Sequence, residues 1–425
     1  MSNKERVLLF ILASLNFTHI LDFIIMMPLS NYLIPYFKIT AFQFSLLVAS
    51  YSISAFFSGL IIAMVIDRFD RKKTLLIAYT GFLIATIACG FASTYGFLIV
   101  ARVLAGLFGG IIGAQVFAIV ADVFSYERRG RAMGAVMSAF AIATILGVPL
   151  SLYLTNLFNY DWHIPFILVG SVAIVLLPLI IKFVSPLKDH IVKRDKSIPL
   201  YKPLLLVCQI PTQRSALIFS GLLMMGHFLI IPFINPYLEF NLGFSKDLIP
   251  MIYLVGGIAS LFAAIYLGRF SDKKGKLPIF SWTVFFSLYM VLIITTLPNV
   301  HFSVALIFFA VWFILATGRA VTAQAMISEV VDQTQRGSFM SINGSVQQLG
   351  SGIASLVAGL IVITEKSGKI KNFNWVGYLS IVVLVVSLIL GRYIFKRIDR
   401  KIIESEIKSE NLEKLNKPHN AYEKT

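Results

Sequence analysis

Charge is what this chain has least of: 14% of its 425 residues are Asp, Glu, Lys or Arg, against 57% that are hydrophobic. A soluble domain runs at about 25% charged and 45–50% apolar, so a water-exposed globular surface is excluded for most of the length. Cysteine is nearly absent. Cys89 falls in an apolar run and Cys208 in a polar stretch, which gives no expectation of a structural disulfide and no spacing for a metal site. Also missing are HExxH, CxxC, a phosphate-cradling P-loop and a Ser/His/Asp arrangement. The chain therefore reads as no enzyme, with no cofactor, and direct use of ATP is excluded.

What is there instead is apolar length. A hydrocarbon core of about 30 Å needs about 20 helical residues, and runs of that size recur near 7–29, 42–66, 74–93, 96–123, 132–157, 163–183, 214–238, 247–268, 277–297, 302–328, 339–363 and 374–395. Barrel strands would show alternating segments of about ten residues, so the fold class is an all-α membrane protein with twelve transmembrane helices. The formal charge of +16 points to membrane topology and not to nucleic acid. Most Lys and Arg lie in the segments on the N-terminal side of the bilayer, and the positive-inside rule puts both termini in the cytoplasm. Lys366, Lys369 and Lys371, in the last outer loop, break this pattern. The opening "MSNKERVLLFILASLNF" has the basic and apolar regions of a signal peptide but no small-residue cleavage site after them, so it reads as an uncleaved anchor.

Two six-helix units divide the chain: residues 1–184, a polar cytoplasmic linker at 185–213, residues 214–396, and a charged cytoplasmic tail at 397–425. "THILDFIIMMPL" spaces His19 and Pro28 as "GHFLIIPFINPY" spaces His227 and Pro236. "AMVIDRFDRKK" and "GRFSDKKGK" occupy the loop between the second and third span of each half. "ADVFSYERRGRAMG" parallels "SEVVDQTQRGSFMS". Three matches in order mark an internal duplication, a design known in transporters that place their substrate site near the midplane between repeats.

With these motifs in view, the sequence resembles the major facilitator superfamily, and within it the twelve-helix drug and sugar proton-antiporter branch. The family's loop motif G-x-x-x-D-R-x-G-R-K is kept at Asp67, Arg68, Arg71, Lys72 and Lys73, with Ala63 and Asp70 in place of its glycines. Its second copy keeps Gly268, Asp272, Lys273, Gly275 and Lys276. Arg102 and Gly106 match the fourth-span RxxxG, while of the fifth-span antiporter motif only Gly147 and Pro149 survive. Asp22 followed by Pro28 resembles the first span of the efflux branch.

The resemblance implies a major facilitator fold of two six-helix pseudo-repeats, acting as a monomer in a bacterial inner (plasma) membrane. It implies proton-coupled efflux of a small neutral or anionic solute, such as a drug or sugar, with the proton gradient as energy source. Protons, the solute and the bilayer are then its partners. Symport of a small metabolite and a non-transporting receptor or scaffold are the alternatives. The resemblance also implies a cytoplasmic gate, in which Asp67 faces the Arg336–Ser341 helix start and Asp272 the Gly130–Met133 start. Arg71 and Lys276 then pair with Asp122 and Glu329.

Ionisable residues are costly in a membrane, about 2.5–3.5 kcal/mol each on insertion scales. Inside the spans they number few: His19 and Asp22 in span 1, Arg102 in span 4, His227 in span 7 and Arg319 in span 10. These are the spans that line the central cavity in the resembling family. At 1.5 Å per residue, Asp22 and Arg102 come near one level from opposite sides. Asp22 is the expected proton site, Arg102 its switchable partner and His19 a helper one turn away. Asn16, Gln115, His227, Asn235, Arg319 and Gln324 are the expected cavity residues, with Arg319 either binding substrate or reaching across to Asp22.

Overall fold

The computed structural model describes residues 2–65, 69–124, 126–187, 207, 209–331 and 336–416. Span 1 is Asn3–Ile25 continued by Ser30–Phe37, span 2 Ala41–Val65, span 3 Arg71–Gly90, span 4 Tyr95–Val123 and span 6 Ile164–Phe183. Span 5 is Tyr126–Ile142, a π-helical turn Ala143–Gly147, then Val148–Leu157. In the second half, span 7 is Pro211–Phe228, then Ile231–Pro236 and a π-helical turn Tyr237–Asn241. Spans 8 to 12 are Ile249–Lys274, Lys276–Thr295, Phe302–Glu329, Arg336–Ile361 and Phe373–Asn416.

Eleven of these, among the described residues, are long and apolar enough by composition to cross a membrane. The twelfth, span 11, is just as long but rich in Ser, Gly, Asn and Gln, because it spends its surface on protein neighbours: it packs on spans 2, 4 and 7. Side chains such as Ile77, Ile84, Phe91 and Val175 stay exposed on the outside of the bundle, as a lipid-facing surface requires.

Prolines explain the irregular turns. Pro28 has no N–H to give, and the helix of span 1 breaks at Met26–Leu29, where Ser30 N–H reaches back only to the Met27 carbonyl. Pro149 has no N–H for the carbonyl of Ile145 one turn back, and span 5 widens just before it into its π-helical turn.

Within the first half, span 4 packs on spans 2 and 3, span 6 on span 3, and span 1 on spans 5 and 6; the second half repeats this with span 10 on spans 8 and 9, and spans 7 and 12 together. The halves meet along spans 2 and 11 and along spans 5 and 8, where Gly257 sits against the Ile145 backbone. The span 2–span 11 contact is an antiparallel seam of small residues at seven-residue steps. Ser45 lies against Gly359, Ser52 against Gly352 and Gly59 against Ser345, so each rung pairs one serine with one glycine. Ser351 Oγ adds a hydrogen bond to Ser52 Oγ at 3.3 Å.

The loop between spans 11 and 12 forms a small hairpin, Ile363–Thr364 against Ile370–Lys371. Asn241 clamps it by donating to the Ile370 carbonyl and accepting from its N–H, both at 2.9 Å. Lys371 pairs with Glu365 at 2.5 Å, and its ammonium holds that carboxyl below the ordinary range. One of the three unexpected loop lysines is thereby matched by a local carboxylate.

Candidate functional site

Asp22 and Arg102 meet. Arg102 Nη1 donates to Asp22 Oδ2 at 2.8 Å and to the Asp22 carbonyl oxygen at 3.2 Å, and Thr86 Oγ1 donates to Asp22 Oδ1 at 3.3 Å. Both charged side chains are 0% exposed. The guanidinium lies over the Tyr51 ring, 4.6 Å from its centroid. A desolvated cation–π contact of this kind is worth about 2 kcal/mol. Cys89 of span 3 lies beside the same guanidinium, and Arg102 Nε and Nη2 have no hydrogen-bond acceptor. The arginine is thus held by the carboxylate and carbonyl oxygen of Asp22 and by the Tyr51 ring, with part of its donor set unused.

Glycines bring these groups together. Gly106 lies against the Tyr51 carbonyl and Ser54, Gly109 against the Tyr51 hydroxyl, and Gly110 against the Ala55 backbone. Span 4 therefore touches span 2 backbone to backbone, as small residues permit inside a membrane. Tyr51 is turned onto Arg102, and its hydroxyl donates to the His19 carbonyl oxygen at 3.1 Å. His19 does not touch Asp22. Its Nε2 bonds Asn16 Oδ1 at 2.8 Å, Asn16 donates to the Val136 carbonyl at 2.9 Å, and His19 Nδ1 has no partner. Gln115 is buried with both amide atoms unpartnered.

In the second half, Arg319 does not reach Asp22; its Nη2 bonds His227 Nδ1 at 2.7 Å. His227 stacks on Trp312, with ring centroids 5.2 Å apart. Gln324 accepts from Gln347, which also donates to Ser220 at 2.9 Å. Asn235, expected in the solute cavity, makes two contacts in this state. Its amide donates to the Pro28 carbonyl at 2.8 Å and accepts from the Tyr253 hydroxyl at 2.8 Å. The first of these follows from the proline break, which takes the Pro28 carbonyl out of helical bonding.

That contact belongs to a lock on the side of the membrane opposite the termini. Asn31 Nδ2 donates to Glu239 Oε2 at 2.5 Å and Lys246 Nζ lies 3.5 Å from Glu239 Oε1. Tyr32 bonds Asn156, whose amide donates to the Lys246 carbonyl at 3.1 Å, and Tyr160 bonds Asp247. Below these, Phe23 meets Phe228 and Phe44 meets Phe233. Residues 28–32 and 156–160 belong to one half and 235–247 to the other, so this face is closed. Glu239 lies one residue beyond the 214–238 run that the sequence marks as span 7, so hydropathy does not show it as an interior charge. A Glu239→Ala variant is expected to open this face more often. A cysteine at Phe44, in a background lacking Cys89 and Cys208, should react about tenfold faster with a membrane-impermeant maleimide, since a hydrogen bond to a charge contributes about 1.5–3 kcal/mol. An unchanged rate would sink the lock.

On the terminal side, Arg71 Nε donates to Asp122 Oδ2 at 2.8 Å, and Lys276 pairs with Glu329. Both pairs tie neighbouring spans of one half, 3 to 4 and 9 to 10. Asp70, standing where the family motif has glycine, caps span 3 by accepting from Lys72 N–H at 2.9 Å. Asp67 and Arg68 lie outside the described residues. Asp272 is exposed. Gly147 sits against Leu21, one residue from Asp22, which places the surviving fifth-span motif beside the charged pair.

Comparison with known proteins places this geometry. The family model described as Major Facilitator Superfamily matches residues 12–322 and 216–418. An uncharacterized MFS-type transporter of Bacillus subtilis, YceJ, is 23% identical over 358 residues, covering 83% of this chain and 89% of its own. Among solved structures, a bacterial homologue of the human lysosomal transporter Spinster, inward-facing and unoccupied, superposes with a TM-score of 0.74 at 15% identity, over 93% of this chain and 98% of that one. A D-xylose-proton symporter does so with a TM-score of 0.72 at 16% identity, over 91% and 97%. At such identities these two likenesses speak for the fold alone.

Proposed function

The chain belongs to the Major Facilitator Superfamily, whose members move solutes by alternating access, and from that premise we propose that it is a proton-coupled antiporter exporting a small neutral or anionic solute from the cytoplasm. The observation that carries this reading is the sealed Asp22–Arg102 pair. A carboxylate and a guanidinium removed from water are stable together and costly apart, so a proton arriving at Asp22 frees Arg102 and changes what the first half prefers to pack against. His19 extends this unit through Tyr51, as a positioning residue and not as a second proton carrier.

The lock formed by Asn31, Glu239, Lys246 and Asn235 supports a cycle in which the opposite face opens to release solute and admit protons. Arg71–Asp122 and Lys276–Glu329 would brace the terminal face of each half while Asp67 and Asp272 make and break the contacts between halves. Gln115, His227, Arg319 and Gln324 line the solute's side of the pathway in this reading, with Asn235 reassigned to the lock. The fifth-span Gly147 lets span 5 lie close to span 1 at the level of the pair.

The test starts from a deletion strain screened for drug susceptibility and metabolite accumulation, followed by purified protein in liposomes carrying a pH-sensitive dye. Antiport predicts that adding a solute hit to one side drives protons the opposite way, and that an imposed pH gradient drives the solute against its own. Co-directional flux would turn the reading to symport, and solute movement indifferent to the gradient would reject proton coupling.

A further inference from the structure

We infer that Arg319 is the anchor for a solute carrying a single carboxylate, a narrower claim that rests on the transporter reading above. The two arginines inside the spans stand differently. Arg102 has Asp22 at 2.8 Å, whereas Arg319, 2% exposed, meets no carboxylate among the described residues. Among the described residues, the one hydrogen-bond partner of its guanidinium is His227 Nδ1 at 2.7 Å. A guanidinium has donors only, so Nδ1 must present its lone pair, and His227 is the neutral tautomer with its proton on Nε2. The imidazole orients Arg319 and leaves its charge uncompensated.

Arg319 Nη1 is buried and has no acceptor among the described residues. An interior cation left in this condition is expensive, and it persists where something else supplies the counter-charge for part of the cycle. The planar fork of N–H groups fits the two oxygens of a carboxylate.

The surroundings suit an organic anion more than a bare ion. Trp312 backs His227 as a stacked wall, and Phe228 touches the same imidazole edge-on. Phe228 in turn meets Phe23 of the first half. Toward the terminal side, Ser220, Gln347 and Gln324 form a layer of neutral hydrogen-bonding groups, and none of them brings a negative charge that would repel the solute.

The pseudo-repeat sharpens the contrast. His19 and His227 hold equivalent places, but His19 packs toward Gly113, 3.7 Å from where a methyl group there would lie, while His227 meets Arg319. The second half thus has a side chain with a cationic head at the crossing where the first half has none. The first half carries the proton-responsive pair and the second half the anion site, so the two ligands of an exchange cycle would bind to different halves.

The experiment uses the full-length protein in detergent at equilibrium, with no proton gradient. The panel is acetate, benzoate, cyclohexanecarboxylate and decanoate, each paired with its neutral amide, plus chloride at matched ionic strength. Binding is read as a thermal shift and as tryptophan fluorescence. At least one carboxylate is expected to bind at least tenfold more tightly than its amide and than chloride. Arg319→Gln should lose that preference, while Arg319→Lys keeps a weaker one. Size-exclusion behaviour and the melting temperature of the unliganded variants separate lost binding from lost folding, and His227→Asn is a second route to the same site, expected to weaken carboxylate binding several-fold.

Equal binding of every acid and its amide, a carboxylate preference unchanged in Arg319→Gln, or chloride matching the best acid would each overturn the assignment. None of these readouts involves proton movement. Failure of proton coupling with Arg319-dependent carboxylate binding intact would therefore count against the antiport reading alone.

Discussion

Asp22→Asn protein in liposomes is expected to lose gradient-driven transport to background, at least about 100-fold, while solute-for-solute exchange continues. The reasoning starts from the geometry of one contact. Asp22 holds Arg102 through Oδ2 at 2.8 Å with both groups shut away from water, so the state of that oxygen decides whether Arg102 is bound or free. Asparagine can still accept a hydrogen bond from the guanidinium, but it neither carries the charge nor exchanges a proton. The variant is fixed in the discharged condition. Removing one partner of a buried ion pair costs about 3–5 kcal/mol, and the retained hydrogen bond should keep the loss at the lower end. If the single variant is too unstable to reconstitute, Asp22→Asn with Arg102→Gln removes both charges and is expected to recover folding without recovering coupling. Transport by either folded variant that still follows an imposed pH gradient would place the proton site elsewhere.

Gly106→Ala is the second large effect, expected to lower stability by about 1–3 kcal/mol and with it the folded yield. The added methyl would lie 2.2 Å from the Tyr51 carbonyl oxygen and 2.2 Å from Ser54 Oγ. The first of these is backbone, which no rotamer change relieves, so span 4 must move away from span 2. Tyr51 goes with span 2, and the ring leaves Arg102. Hence what stability remains should be accompanied by weaker proton coupling, read in the same dye assay. Gly134→Ala is the control. A methyl there meets nothing within 4 Å, and alanine in a helix is ordinarily better than glycine by about 0.5–1 kcal/mol, so yield and coupling should hold or improve. Equal behaviour of the two variants would contradict the close approach.

Much of this molecule is readable in its sequence because membrane burial leaves coarse, repeated signals. Most spans fall within a few residues of the apolar runs, since nothing but a helix satisfies backbone hydrogen bonds in lipid. Span 1, however, runs on to Phe37, and the helix of span 12 to Asn416, into the charged stretch expected as a separate tail. Span 11 is read from its run at 339–363 although it carries more Ser, Gly, Asn and Gln than the others. The meeting of Asp22 with Arg102 follows from counting residues along two antiparallel helices. What the sequence conceals are groups that become functional only by position. Tyr51 and Thr86 are common residue types, and nothing in their own surroundings announces an arginine or a carboxylate opposite. Asn235 has the look of a cavity residue, and only the break at Pro28 reveals the carbonyl that claims it. Arg319 and His227 were each visible as interior polar residues, but their mutual bond depends on how far apart spans 7 and 10 stand.

The rungs between spans 2 and 11 carry a consequence for how the two halves can change over generations. Serine faces glycine at 45 and 359, at 52 and 352, and, with the order reversed, at 59 and 345; an added methyl would clash at the first and last rungs and be tight at the middle one. A change that adds volume on one side is tolerated only when its opposite number gives volume up, because neither helix can back away without parting the halves. A bulkier residue at one member of a rung is therefore expected to require a smaller one opposite it, which ties the two halves together at these three places. A one-residue insertion in either helix would rotate everything beyond it by about 100°, turning the remaining small residues away from the partner, so the lengths of spans 2 and 11 are constrained against each other as well.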